Sequence, residues 1–86
     1  MRRCTIDGTK IRDMAHLHTV LARELNFPHW YGRNLDALYD CLTDLSEETE
    51  IILRHTEALE EAVGEKAKGF FKTLKEAAKA NPALRL

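Results

Sequence analysis

Asp36, Asp40 and Asp44 recur at every fourth position. On a helix such residues stand one above another, and like charges at that spacing cost about 0.2–0.5 kcal/mol per pair. Asp36 regains something from a helix N-terminus, whereas Asp44, further along, gains little. No Lys or Arg shares the face to neutralise it. Carboxylates in such a row can accept charge-assisted hydrogen bonds from a cationic partner or coordinate a hard metal ion. An ordinary solvated face has the same charge pattern. The aromatic residues shift the balance towards a partner. Trp30 and Tyr31 precede Gly32 just before the acidic segment, and Tyr39 falls on its polar side. Trp and Tyr are enriched at binding hot spots, where a flat apolar body and a polar tip both find contacts. One of Trp30 and Tyr31 is expected to pack inward instead.

Other chemistries are poorly supported. There is no P-loop, nucleotide-binding glycine fingerprint or nucleophile elbow. His16 and His18 lie two apart, so on a helix they point about 200° away from each other and cannot share a metal. His18 falls on an apolar face and reads as a hydrogen-bonded core histidine. Cys4 and Cys41 match neither a zinc spacing nor a redox pair. They read as buried free thiols of a reducing compartment rather than a disulfide. No cofactor, metal site or enzymatic activity is expected.

The elements that position these residues follow from pattern and punctuation. Arg3 to Asp7 reads as a strand ending at the turn signal Asp7-Gly8. Asp13 can cap a helix to about Leu25, with Met14, Leu17, His18, Leu21 and Leu25 on one face. Asn26-Phe27-Pro28 ends it. Asn34 can cap a second helix to about Leu45, burying Leu35, Leu38, Cys41, Leu42 and Leu45. Its opposite face holds the aspartates with Tyr39 and Thr43. Glu50 to Arg54 carries the apolar run Ile51-Ile52-Leu53 of a buried strand. A short helix from Thr56 to near Gly64 and a longer one from Lys66 to Lys79 follow, the latter with Phe70, Leu74, Ala77 and Ala78 inward. Asn81-Pro82 closes it, and 83–86 reads as a last strand. The order β-α-α-β-α-α-β predicts an α/β fold with a small three-stranded parallel sheet, covered by helices mainly on one side.

The 86 residues predict a single domain over 1–86 with a modest core. So little chain favours a binding protein over an enzyme with a deep cleft. Charge is uneven beneath a net −1: residues 24–50 hold seven acidic side chains against Arg33 alone. An acidic middle suits a basic partner. With no apolar run long enough to span a membrane and no signal-peptide pattern at the start, a cytoplasmic location is expected, without membrane or nucleic-acid partners.

The stretch Pro28-His29-Trp30-Tyr31-Gly32-Arg33-Asn34-Leu35-Asp36-Ala37-Leu38-Tyr39-Asp40-Cys41-Leu42-Thr43 closely resembles the signature of barstar-type ribonuclease inhibitors. Ile6-Asp7-Gly8, Ile11, Leu17-His18, Leu21 and Glu24-Leu25 fall in the same register. The second half is similar mainly in helix pattern and in Lys75-Glu76-Ala77. The resemblance implies a three-stranded parallel sheet with packed helices. It also implies intracellular inhibition of a secreted, guanyl-preferring, barnase-like ribonuclease by a chain that is monomeric when free. By position, it makes Asp40 the carboxylate that enters the enzyme's phosphate site, and Asp36 a second charged contact. Trp30, Tyr31, Gly32, Asn34, Leu35, Tyr39 and Thr43 become the surrounding contact surface, and Glu76 a peripheral acidic contact. Trp30 and Tyr39 exchange the tyrosine and tryptophan of the best-known member, and Asp44-Leu45 replaces a Gly-Trp pair. An alternative keeps the fold as a regulatory or immunity module for a different basic partner or toxin.

Overall fold

Three strands pair in one parallel sheet of order β1-β2-β3 in the computed structural model, which describes residues 1–86. They are β1 (Arg2–Asp7), β2 (Thr49–Arg54) and the two-residue β3 (Leu84–Arg85). Helices α1 (Met14–Glu24) and α2 (Leu35–Thr43) connect β1 to β2, and α3 (Thr56–Val63) and α4 (Lys66–Ala80) connect β2 to β3. The expected order and the parallel pairing both hold.

Strand patterning explains which face is covered. In β1, buried Cys4 and Ile6 alternate with exposed Arg3 and Thr5. Arg3 and its register partner Glu50 form an ion pair at 3.4 Å. The run Ile51-Ile52-Leu53 was expected to be buried throughout. Only Ile51 is, while Ile52 and Leu53 are half-exposed. Helices cover one side of the sheet, so alternate residues keep contact with water. Phe70, Leu17, Leu21, Leu38, Leu42 and Leu59 are fully buried between the helices and that side. Burying each large apolar side chain favours folding by about 1.5–3 kcal/mol.

Local chemistry sets the turns. The Asp13 side chain accepts from His16 N and caps α1, as expected. At its other end Asn26 adopts φ 55°, and Phe27 N reaches back to Ala22 O at 2.9 Å. This left-handed closure stops the helix before Pro28 acts. After β1 the turn signalled by Asp7-Gly8 takes the form of a 3-10 helix over Gly8–Lys10. Asp7 organises it by accepting from Thr9 N, Thr9 Oγ1 and His55 Nδ1. Those bonds, Thr9's first, hold the Asp7 carboxyl below its ordinary pKa. Gly8 is required here by space: a Cβ would lie 2.2 Å from His55 O and 2.6 Å from Leu59 N, both backbone atoms.

Candidate interaction site

Helix α2 carries the acidic row, and its ends are fixed by different means. Asn34 Oδ1 accepts from Ala37 N at 2.7 Å, the expected cap. The helix stops at Thr43 rather than near Leu45, because Asp44 becomes its C-terminal cap residue. Asn81, buried at the end of α4, donates from Nδ2 to both Leu42 O and Leu45 O at 2.9 Å. One side chain thereby ties down the Leu42 carbonyl, which otherwise accepts a long 3.4 Å bond from Leu45 N, and the Leu45 carbonyl just beyond the helix. Asn81 had been read only as a turn residue.

The inner face of α2 buries Leu38 and Leu42 completely, with Leu35, Cys41 and Leu45 partly covered. Asp36, Asp40 and Asp44 are exposed, and none joins an ion pair. Asp44 lies at the helix C-terminus, where the partial charge disfavours an anion. The row is thus a locally unfavourable arrangement, offset inside the chain only at Asp36, in the first turn of α2. Arg33, the one cation nearby in sequence, is turned away by φ 55°. Its Nη2 donates to Ala15 O and Thr19 Oγ1 at 2.8 and 2.7 Å.

Asp40 lines depressions on both sides of α2. One, of ≈ 510 Å³, runs between the 25–30 segment and the second half of α2, and holds Trp30, Asp40, Thr43, Asp44 and Leu45. The other, of ≈ 330 Å³, lies against α4 and holds Leu35, Asp36, Tyr39, Asp40, Thr73 and Glu76. Seven of the ten expected contact residues, Asp40 included, line these two depressions. Asn34 lines a third hollow with Leu35 and Asp36, and Gly32 lies on the loop leading into the helix. Glu76 meets Lys72 at 3.8 Å, an exposed contact of little energetic weight. Thr73 was not anticipated, although its place three residues before Glu76 on one helix was a usable signal.

Trp30 and Tyr31 divide as expected. Trp30 is 74% exposed, its indole edge-on to His29. Tyr31 is buried against Phe27, with its hydroxyl 2.6 Å from His18 Nδ1. Its ring is a support for the loop rather than an open contact, which alters the part expected of it. Burial pushes its phenol pKa well up. His18 is the hydrogen-bonded core histidine read from the sequence.

Both cysteines are free thiols. Burial pushes Cys4 up to about 11, with the Glu24 charge adding to it. Cys41 is only half-buried, contrary to the expectation, because it borders the Trp30 groove. Its thiol pKa is raised by burial first, then by Asp40 and Asp44. No three His, Cys, Asp or Glu side chains converge as a metal site would require. No helix is long and apolar enough to cross a membrane. The arrangement is an acidic ridge with an exposed aromatic at one side, whose carboxylates are free to accept charge-assisted hydrogen bonds.

A family model described as "Barstar (barnase inhibitor)" matches residues 1–84. A protein of Bacillus subtilis (strain 168) named "Putative ribonuclease inhibitor YrdF" is 54% identical over 43 residues, 50% of this chain. The match covers 47% of that relative, so it spans about half of each.

Proposed function

The chain belongs to the barstar family, and from that premise we propose that it inhibits a barnase-like, guanyl-preferring ribonuclease inside the cell that makes it. Asp40 enters the enzyme's phosphate site. A ribonuclease holds its scissile phosphate with Arg, Lys and His donors. A carboxylate offers two anionic oxygens to the same donors and carries no leaving group, so it occupies the site without turnover. The observation that supports this most is the place of Asp40 on a ridge, unpaired, with a depression on each side. Donors from two directions can reach it at once.

Asp36 and Glu76 face the enzyme across the α4 side, with Leu35 and Tyr39 between them. Trp30 and Thr43 close the other side. Gly32 and Asn34 hold the loop and start the helix at the correct height, and Tyr31 anchors that loop through His18. The inhibitor is a non-enzymatic monomer when free, and no metal or cofactor takes part.

The test is titration of a secreted guanyl-preferring ribonuclease with the purified chain, following cleavage of a fluorogenic dinucleotide. Activity should fall linearly to zero at one chain per enzyme. Undiminished activity with a several-fold excess of chain, over a panel of such enzymes, overturns the reading.

A further inference from the structure

At the start of α2 lies a hollow of ≈ 450 Å³ lined by Met14, Ala15, His18, Arg33, Asn34, Leu35, Asp36 and Lys66. Its polar groups do not match its surroundings. His18 is 4% exposed, and its Nδ1 is taken by Tyr31 Oη. Nε2 makes no hydrogen bond within the protein, yet it is not sealed off from the hollow that His18 lines. Tyr31 Oη has no other acceptor, which assigns the tautomer in which the phenol donates to Nδ1 and the ring proton sits on Nε2. Arg33 commits only Nη2 to α1, so Nε and Nη1 carry no partner.

Two helix starts meet at the same place. The amide of Ala37 is capped by Asn34, while those of Leu35 and Asp36 have no side-chain acceptor. Helix α4 opens on Lys66 after Glu65 at the N-cap, which makes no side-chain cap bond, and has no acidic residue within its first turn. A lysine at a helix N-terminus opposes the helix dipole, and Lys66 joins no ion pair. Such a local conflict marks a place built for something other than stability. Asp36 is the one anion on the lining, and it stands at the edge shared with the α4 depression. The positive field also reaches the imidazole: burial lowers the His18 pKa first, and Arg33 and Lys66 lower it further.

We propose that this hollow is an oxyanion site for a phosphate group, held by His18 Nε2–H, Arg33, Lys66 and the amides that open α2. Both a free phosphate and a phosphate monoester present the required oxygens, and the hollow has room for either. The site shares Asn34, Leu35 and Asp36 with the proposed enzyme-contact surface but does not include Asp40, and its ligand has the opposite charge from the inhibited enzyme's donors.

The experiment is titration of the intact chain with inorganic phosphate, and separately with phenyl phosphate, at constant ionic strength, followed by ¹⁵N NMR. The Leu35 and Asp36 amides and His18 Nε2 should shift along one saturating curve, while the α3 amides stay still. Lys66→Gln and Arg33→Gln should each weaken binding about tenfold, as loss of one charge-assisted hydrogen bond requires. Lys75→Gln, on the exposed face of α4, should leave it unchanged. Tighter binding of phenyl phosphate identifies a monoester as the ligand, and tighter binding of the free ion identifies phosphate itself. Because His18→Gln can disturb the core, the surface variants carry the decision. Shifts spread over all lysine-rich surfaces, no shift at Leu35 and Asp36, or equal affinity of Lys66→Gln and the parent chain overturns the proposal. None of these outcomes depends on ribonuclease inhibition.

Discussion

Replacing Asp40 by alanine separates a binding role from a structural one. In the free chain its carboxylate is exposed and pairs with nothing. Removing it therefore breaks no contact. It relieves repulsion with Asp36 and with Asp44, about 0.2–0.5 kcal/mol each. Folding stability should rise by up to about 1 kcal/mol, a gain of a few degrees in Tm for a domain of this size. In the complex the balance reverses. The carboxylate stands between two depressions that a docked enzyme fills, so it loses its water and faces the enzyme's cations alone. Stranding those cations costs about 2–5 kcal/mol or more, a range that this family's own type complex helped to set. Affinity should fall at least about thirtyfold. Glu47→Ala is the control: Glu47 meets Arg2 at 3.4 Å beyond the end of α2, half-exposed, and should change binding by less than about 1 kcal/mol. The assay is the inhibition constant against the cognate ribonuclease alongside the urea midpoint for each variant. Equal and small losses of affinity for the two would refute the phosphate-mimic role.

Four further outcomes are expected. Gly8→Ala should destabilise by about 3 kcal/mol or more in urea unfolding, because the new Cβ meets backbone atoms at 2.2 and 2.6 Å that cannot give way; a loss below about 1 kcal/mol would show that the turn relaxes. Asn81→Ala should cost about 2–3 kcal/mol and speed amide exchange in the last turn of α2, since two carbonyls lose their donor; unchanged exchange there would contradict the capping role. Because burial and then Arg33 and Lys66 depress the His18 pKa in the folded chain, the unfolded chain binds that proton more readily. Stability from this group is complete above about pH 6.5 and declines as pH falls towards the folded-state value, by at most about 1.4 kcal/mol per pH unit; His18→Gln should flatten that part of the profile, and an equally steep variant would assign it elsewhere. The association rate with the ribonuclease should fall as salt rises and the Debye length shrinks to about 8 Å, though gently for a chain of net charge −1; a salt-independent rate would indicate an apolar interface.

The sequence disclosed what local pattern can disclose. Strand and helix order followed from apolar periodicity and caps, and Asp13 and Asn34 start their helices as read. The aspartate row was visible because helical spacing alone aligns it. What escaped depends on residues far apart in the chain. Asn81 caps carbonyls 36 and 39 residues before it, so no local signal distinguishes it from a turn former. Gly8 owes its necessity to His55 and Leu59. Tyr31 and Trp30 are neighbours of similar chemistry, and only the position of His18 decides which ring turns inward. Strand β3 is shorter than read, since only Leu84 and Arg85 meet register partners on β2.

The clasp made by Asn81 has a consequence for the order in which the chain matures. Helix α2 is begun by Asn34, its immediate neighbour, but its final turn waits for a side chain near the far end. A ribosome adds roughly 5–20 residues per second, so the acidic ridge exists in frayed form for seconds before its last carbonyls are met. Nascent chains stopped before residue 81 carry every aspartate of the row but lack the group that holds its end in place. With Asn81 in place, Asp40 and Asp44 stand on a backbone held at both ends.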